Sequence, residues 1–233
     1  DMTDPNIFFH KVNVQTYPLF KHQPFDIALS STIYQVVKLY KLDILHAHYA
    51  IPYAYAAFFA KQMLKEENSD IPLVTTLHGT DITLVGQHPS YKHAVEFSIN
   101  QSDKITTVSE SLKADTLKFF QISKEIEVIT NFIDNKEFED LRVCQRNQFA
   151  NDDEKILIHV SNLRPVKRVQ DVLDIFKKVE KSVKSKLLIL GDGPDVELVH
   201  EFINANPNLI NKIKLLGKVD NLYQILKFAD VFL

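Results

Sequence analysis

Short apolar runs alternate along the chain with longer segments in which apolar residues recur every three or four positions. The runs are typical of buried strands, and the longer segments are typical of amphipathic helices. In the first part of the chain this pattern predicts strands at residues 7–12, 42–46, 73–77, 105–108 and 126–129, and helices at residues 30–40, 51–65 and 111–120. Strands separated by helices indicate βαβ units and therefore parallel sheets.

The alternation stops at a polar stretch and then begins again. Beyond it the pattern predicts strands at residues 156–160, 187–190 and 213–216 and at the very end of the chain, and helices at residues 169–183, 197–204 and 222–229. The two series predict an α/β protein with two doubly wound domains, over residues 1–134 and 155–233, joined by a connector over residues 135–154. Because the last apolar run stops inside a predicted strand, we expect the sequence to be an internal fragment with both domains incomplete.

The composition argues against several classes of function. With 233 residues, a formal net charge of -3 and a pI of about 6.3, the chain lacks the basic excess typical of nucleic-acid-binding modules. No apolar run reaches the ~18 residues that a membrane-spanning helix needs, and the start shows no signal peptide. The single cysteine, Cys144, cannot form an intrachain disulfide. Such cysteine usage suits a reducing cytoplasm, which is the location we expect.

Glycines cluster where predicted strands end. The chain contains five glycines, and four of them follow strands: Gly79, Gly191, Gly193 and Gly217. Glycine permits positive φ angles and a close approach of the backbone. A tight strand-to-helix turn would explain each one alone. Ligands of open parallel sheets bind beyond the carboxyl ends of the strands, so the clustering favours ligand-facing loops.

The first of these loops contains the sequence His78-Gly79-Thr80-Asp81. The imidazole of His78 can donate a hydrogen bond to a sugar hydroxyl or take part in proton transfer near neutral pH. Asp81 has a second interpretation, as the cap of the segment that follows. A loop with a structurally satisfied histidine is the alternative to a ligand site.

A second loop, over residues 161–168, follows the predicted strand at 156–160 and contains three cations, Arg164, Lys167 and Arg168. They stand at a predicted helix start, which itself favours anions. The planar guanidinium and the point-like ammonium group together suit a pyrophosphate, although a solvated basic surface is the alternative. A third loop, Gly191-Asp192-Gly193-Pro194, is a tight turn of the kind that lies against a phosphate or sugar. Neither a dinucleotide-binding fingerprint nor a P-loop pattern is present.

Two further histidines, His46 and His48, are two residues apart near a strand end and can share a face of the sheet. With His78 they could form a metal site. No cysteine lies nearby and no H-E-x-x-H pattern exists, so we favour histidines that line a pocket, without a metal. Tyr49 either contacts an acceptor or packs as an ordinary core residue.

These motifs, in this order, resemble the retaining glycosyltransferases of family GT4. The residues that carry the resemblance are those at positions 46–49, 78–81, 108–110, 128–134, 161–168, 191–194 and 216–219. The resemblance covers essentially the whole sequence. It implies a GT-B fold, in which two Rossmann-like domains face a cleft, and an activity that uses a nucleotide-sugar donor without a metal or other cofactor. The family's glycine-rich first loop and its Glu-x7-Glu motif have no counterpart in this sequence, so we expect the isolated chain to bind donor weakly and not to turn over.

The resemblance also implies roles for individual residues. His78, Arg164 and Lys167 would be catalytic: the two cations would bind the donor diphosphate and stabilise the leaving UDP, and His78 would hydrogen-bond the donor sugar. Other residues would contact the donor, namely Gly79, Asn131, Gly191, Asp192, Gly193, Lys218 and Val219. The acceptor side would comprise Tyr49 and Thr80, with Lys92 as a candidate partner for a carboxylate.

Longer phrases, at residues 46–52, 77–86 and 161–169, resemble a narrower group within the family, the malate N-acetylglucosaminyltransferases of bacillithiol biosynthesis. That resemblance implies transfer of N-acetylglucosamine from UDP-GlcNAc to L-malate, a small hydroxy acid, with retention of the α configuration. A homodimer is compatible with it. Two alternatives stay open: another GT4 hexosyltransferase with a lipid or glycan acceptor, and a non-catalytic nucleotide-sugar-binding module.

Overall fold

The chain forms two compact units that divide after Phe132. The computed structural model describes residues 5–133, 145–220 and 222–233, so that Asp134 and residues 135–144 of the predicted connector, Cys144 among them, lie outside the described residues. Each unit contains one four-stranded parallel sheet, as the alternating pattern predicts. Among the described residues, no helix has the length and apolar character needed to cross a membrane.

The first unit is built on a sheet with strand order β1-β2-β3-β4. Its elements are α1 (Phe25–Tyr40), β1 (Leu45–His48), α2 (Tyr55–Lys65), β2 (Leu73–Leu77), α3 (Thr80–Thr83), α4 (Pro89–Gln101), β3 (Lys104–Thr107), α5 (Glu110–Phe119) and β4 (Ile126–Val128). An irregular helical turn, Ala50–Ala54, connects β1 to α2, and a 3-10 turn, Val85–Gln87, precedes α4. The register pairs His48 with Thr76 and Thr76 with Thr106, so neighbouring strands end side by side.

One face of this sheet forms the core of the first unit. Leu73, Leu77 and Ile105 are completely buried on that face, against helices α2, α4 and α5. Helix α5 begins where the sequence predicts, because the Ser109 side chain accepts a hydrogen bond from the Leu112 N–H at 3.1 Å. Burial of these aliphatic side chains supplies about 2 kcal/mol each in favour of the folded state.

The apolar pattern fails for two segments of the first unit: it predicts one strand that does not form, and it does not predict one helix that does. The strand predicted at residues 7–12 does not form: these residues have no regular structure, and Ile7 and Phe8 are more than half exposed. A short apolar run needs a neighbouring strand for its backbone groups, and no described strand pairs with it. The pattern does not predict helix α4, because Ser98 lies between Val95 and Ile99 on the buried face and interrupts the apolar periodicity.

The second unit is built on a sheet with strand order β7-β6-β5-β8. Its elements are β5 (Lys155–Val160), α6 (Val169–Val179), β6 (Ser185–Leu190), α7 (Val196–Ala205), β7 (Ile213–Gly217), α8 (Leu222–Leu226) and β8 (Val231–Phe232). Short 3-10 turns lie at Arg146–Gln148, Pro165–Lys167 and Pro207–Leu209. Phe149 and Ala150, which fall in the predicted connector, are buried in the core of this unit.

The core of the second unit has two layers, one on each face of its sheet. On one face, Leu173 and Phe176 of α6 are completely buried against Leu187 and Ile189 of β6. On the other face, Ile156 and Ile158 pack with Ile225 of α8. Side chains alternate between faces along a strand, and a strand buried on both faces therefore appears in the sequence as a continuous apolar run.

Two glycines of the second unit lie where the backbone leaves no room for a side chain. A Cβ atom added at Gly191 would lie 1.8 Å from the Ser161 carbonyl oxygen, and one at Gly193 would lie 2.1 Å from the Asn162 carbonyl oxygen. Gly191 also has a φ of +115°. These glycines therefore allow the turn after β6 to pack directly on the loop after β5, which is the tight-turn interpretation left open by the sequence.

We expect Gly191→Ala to lower the free energy of unfolding of the second unit by about 3 kcal/mol, because both the positive φ and the carbonyl contact oppose a Cβ. Gly217→Ala is the matched control: its φ is +67°, and nothing lies within 4 Å of an added Cβ. It should cost only about 1 kcal/mol. Urea unfolding followed by circular dichroism measures both values, and equal losses would contradict the packing argument.

Candidate functional site

Four aromatic side chains form a row at the carboxyl end of the first sheet. His46 and His48 project from the same face of β1, with ring centroids 4.6 Å apart. His78 follows β2, and its Nε2 lies 2.7 Å from Nδ1 of His48. The ring of Tyr49 lies 4.7 Å from that of His78. The parallel register brings these residues together, as the sequence predicts for strand ends.

Two imidazoles of this row, those of His46 and His78, favour the neutral state. Burial lowers the pKa of His46 and of His78 below the ordinary value of 6.5, and the neighbouring His48 lowers both further. Asp81 acts in the opposite direction on His78. Near pH 7, His46 and His78 therefore act as uncharged hydrogen-bonding groups, a form suited to sugar hydroxyls.

A depression of about 350 Å³ lies along this row. His46, His48 and His78 line it together with Asn131, one of the residues predicted to contact a donor. On its floor, Nε2 of His46 lies 2.7 Å from the hydroxyl of Thr76. The first unit thus brings together two of its predicted donor-side residues, His78 and Asn131.

A buried carboxylate holds the two loops beside the row. Asp81 is 4% exposed, and one of its oxygens accepts a hydrogen bond from the Ala50 N–H at 2.9 Å. Its other oxygen accepts from the Gly79 N–H at 3.0 Å and from the His78 N–H at 3.3 Å. The prediction that Asp81 could cap the segment that follows it is wrong: Asp81 lies inside α3, whose N-cap residue is Gly79, and its carboxylate instead connects the loop after β1 to the loop after β2.

A second depression, of about 580 Å³, lies beside the first and contains the predicted acceptor residues Tyr49 and Thr80. Tyr49 has a φ of +74°, an unusual value for a residue with a side chain, and such backbone strain is frequent at functional sites. Lys92 is exposed on α4 and does not line this depression, although its neighbour Tyr91 does. The structure therefore groups Tyr49 with Thr80 but not with Lys92.

The alternative of a three-histidine metal site is not favoured by the geometry. Nδ1 of His48 and Nε2 of His78 bond to each other, which leaves neither nitrogen free to bind a shared ion. In the part of the chain that the structure describes, no group of three His, Cys, Asp or Glu residues is arranged to hold a metal.

In the second unit, the three cations of the loop after β5 differ in whether they form an ion pair. Arg168 has a left-handed backbone and forms an ion pair with Asp171 in the first turn of α6. Arg164 and Lys167 are exposed, and neither forms an ion pair with a carboxylate among the described residues. Two uncompensated cations at the carboxyl end of a strand, just before a helix, provide a favourable position for an anion.

The other predicted donor-side residues lie on neighbouring turns of the same sheet edge. The Gly191 N–H donates to the Gly217 carbonyl oxygen at 2.7 Å, which connects the turns after β6 and β7. Across these turns, the Lys218 ammonium lies 3.8 Å from a carboxylate oxygen of Asp192. Val219 is partly buried against the core of the second unit.

A buried histidine next to the cationic loop, His159, is not among the residues that the sequence pattern indicates. Nδ1 of His159 lies 2.9 Å from the Leu233 carbonyl oxygen, and Nε2 lies 2.9 Å from the Ser161 hydroxyl. A carbonyl oxygen only accepts, so Nδ1 carries a proton and donates it to the Leu233 carbonyl oxygen in a hydrogen bond. The Ser161 oxygen in turn accepts from the Leu163 N–H at 3.2 Å. The available signal was a histidine inside the otherwise apolar strand β5.

Comparison with known proteins identifies the class to which this chain belongs. The sequence model of Glycosyltransferase Family 4 matches residues 2–137, and that of Glycosyl transferases group 1 matches residues 144–233. The chain therefore belongs to glycosyltransferase family 4, and the resemblance stated from its motifs is confirmed.

Individual relatives narrow the comparison. The chain is 43% identical over 231 residues to N-acetyl-alpha-D-glucosaminyl L-malate synthase of Bacillus anthracis, a match that covers 98% of this chain and 60% of that protein. It is also 28% identical over 191 residues to alpha-monoglucosyldiacylglycerol synthase of Streptococcus pneumoniae, covering 75% of this chain and 42% of that protein. The chain thus spans about three fifths of the length of the malate synthase relative.

Solved structures confirm the predicted fold class. Sucrose-phosphate synthase from Thermosynechococcus elongatus superimposes with a TM-score of 0.71 at 14% identity, over 100% of this chain and 62% of that one. Anabaena HepE, solved in complex with UDP-glucose, gives a TM-score of 0.66 at 18% identity, over 93% of this chain and 57% of that one. At these identities the likeness shows the α/β fold of GT-B glycosyltransferases and nothing about substrates.

We expect Asp81→Asn to destabilise the first unit by about 2–3 kcal/mol, because an amide offers one acceptor oxygen, whereas the two carboxylate oxygens accept from three backbone N–H groups that are buried or partly buried. Asp43→Asn is the control, since Asp43 is exposed in the same unit; it should change stability by less than about 0.5 kcal/mol. Urea unfolding measures both. If the two variants were equally stable, the carboxylate would not hold the loops.

Proposed function

We propose that the protein is a retaining glycosyltransferase that transfers N-acetylglucosamine from UDP-GlcNAc to L-malate. The observation that carries the proposal is a pair of exposed cations, Arg164 and Lys167, at the carboxyl end of β5, with no carboxylate partner among the described residues. They stand in a chain 43% identical to a malate synthase over 98% of its length. Such a pair offers both a planar fork and a point charge to a diphosphate.

In this proposal the second unit binds the donor diphosphate. Arg164 and Lys167 neutralise the charge that develops on the phosphate oxygen as the bond between the sugar C1 and that oxygen breaks. The turns after β6 and β7 lie at the same sheet edge, where residues 191–193 and 217–219 would contact the rest of the nucleotide sugar. Arg168 and Asp171 stabilise the loop itself through their ion pair.

The first unit supplies uncharged contacts to the sugar. Neutral His78 donates a hydrogen bond to a donor hydroxyl, and Asn131 lines the same depression. The acceptor hydroxyl oxygen bonds to C1 on the face from which UDP leaves, so the α configuration is retained. Its proton passes to the departing phosphate oxygen, and no side-chain base is then required.

Acceptor recognition is assigned to the depression that holds Tyr49 and Thr80. Their hydroxyl groups can hydrogen-bond the hydroxyl and carboxylate oxygens of a small hydroxy acid. A dicarboxylate would also bind more strongly beside a cation. The exposed Lys92 is the next residue after Tyr91 on α4, and Tyr91 lines that depression. Lys92 would have to extend towards the acceptor for this role.

A second candidate function, transfer to a lipid or glycan acceptor, is favoured by one surface of the first unit. Phe59, Met63 and Phe97 of α2 and α4 are exposed by 44%, 37% and 42% of their surfaces. Apolar residues on neighbouring helices suit a lipid-facing surface. L-malate is the preferred acceptor because the 43% sequence identity to a malate synthase extends over 98% of the chain.

We predict that Arg164→Gln and Lys167→Gln each lower kcat/KM of the full-length protein by about 10²-fold or more, because each removes a charge that stabilises the leaving diphosphate. Arg168→Gln removes the same charge from the same loop, but that charge already pairs with Asp171. It should cost less than about fivefold. UDP release measures all three rates. Equal losses would show that the loop acts only through its net charge.

We further predict that the full-length protein releases UDP from UDP-GlcNAc in the presence of L-malate, and not with glycan or diacylglycerol acceptors. The test is a panel of 2-hydroxy acids, glycans and lipid vesicles, with UDP detected and the product identified by mass spectrometry. Transfer to a glycan or lipid would establish the second candidate. UDP-GlcNAc binding without any transfer would establish a non-catalytic binding module.

A further inference from the structure

The hydrogen bond between His48 and His78 uses one ring nitrogen from each residue. Nδ1 of His48 and Nε2 of His78 are 2.7 Å apart, so one of these nitrogens carries a proton and donates the hydrogen bond, and the other accepts the hydrogen bond. Nε2 of His78 is therefore occupied by a protein partner. Within the described part of the chain, Nδ1 of His78 makes no hydrogen bond, so it is the ring nitrogen left for a ligand in the depression that His78 lines.

We propose that His48 is a positioning residue for sugar transfer: its Nδ1 holds Nε2 of His78, so that His78 presents Nδ1 to the donor sugar. This inference rests on the proposed function and assigns the atom through which His78 acts. The register supports it, because His48 pairs with Thr76 two residues before His78, and the two rings meet across the strand ends with centroids 5.0 Å apart.

Three titratable groups face the His48–His78 pair: His46 on β1, Tyr49 in the loop after β1 and Asp81 of α3. Burial, and then His48, lower the pKa of His78, so loss of the His48 ring should raise that pKa.

Asparagine and glutamine substitutions at His48 and at His78 distinguish the roles of the two ring nitrogens of each histidine. An asparagine amide occupies roughly the position of Nδ1, and a glutamine amide roughly that of Nε2. His48→Asn can keep the bond to His78, whereas His48→Gln cannot. His78→Asn keeps a group at the Nδ1 position and loses the bond to His48; His78→Gln does the reverse. Each pair differs by one methylene and carries no charge.

We expect His48→Gln to lower kcat about tenfold, with KM for UDP-GlcNAc within about twofold, because a misplaced His78 weakens an interaction made in the transition state. The acid limb of its pH–rate profile should move to higher pH, since the pKa of His78 rises. His48→Asn should stay within about threefold of wild-type kcat. His78→Gln should lose more kcat than His78→Asn, and adding His48→Gln to His78→Asn should cause no further loss.

An NMR measurement tests the pairing without turnover. With the ring nitrogens of the full-length protein labelled with ¹⁵N, UDP-GlcNAc should shift the Nδ1 signal of His78 more than its Nε2 signal, and His48→Gln should change the Nε2 signal before any ligand is added. A donor-induced shift mainly at Nε2, or equal loss of kcat in His48→Asn and His48→Gln, would overturn the inference. A wild-type protein that transfers no sugar, yet shows the expected ring-nitrogen shifts, would overturn the proposed function and leave the His48–His78 bond established.

Discussion

Parallel pairing of the strands in register is the interaction on which both units depend. Backbone hydrogen bonds align His48 with Thr76 and Thr76 with Thr106, and they align Val160 with Leu190 in the second sheet. Because all strands of a sheet run in one direction, the residues that follow them gather at one edge. Residues as distant in sequence as His48 and His78 thereby come within hydrogen-bonding distance.

The loops at these edges are fixed by backbone contacts and by a few buried polar groups. Asp81 serves the N–H groups of two loops in the first unit, and His159 connects Ser161 to the Leu233 carbonyl in the second. Gly191 allows the turn after β6 to contact the Ser161 carbonyl. These buried polar groups have hydrogen-bond partners, because leaving one unpaired would cost about 1–3 kcal/mol. The exposed side chains nearby are then free for a ligand.

The two sites differ in charge, and the difference follows from their surroundings. His46 and His78 favour the neutral state, because burial and the neighbouring His48 both lower their pKa values below the ordinary value. Arg164 and Lys167 are exposed, where a charged side chain keeps its hydration. Uncharged imidazoles suit hydroxyl groups, and a cationic loop suits phosphates.

The sequence by itself determined the elements with strong periodicity, such as β2 at residues 73–77 and the capped start of α5, and it grouped the chemically active residues at strand ends. It could not reveal helix α4, whose buried stripe includes a serine, or the failure of residues 7–12 to form a strand, because pairing depends on neighbours distant in sequence. Only the tertiary structure decided which nitrogen of His78 is occupied, that Arg168 forms an ion pair while Arg164 and Lys167 form none with the residues described, and that His159 supports the cationic loop. These properties depend on distances of a few ångströms between side chains, and periodicity along a chain carries no information about such distances.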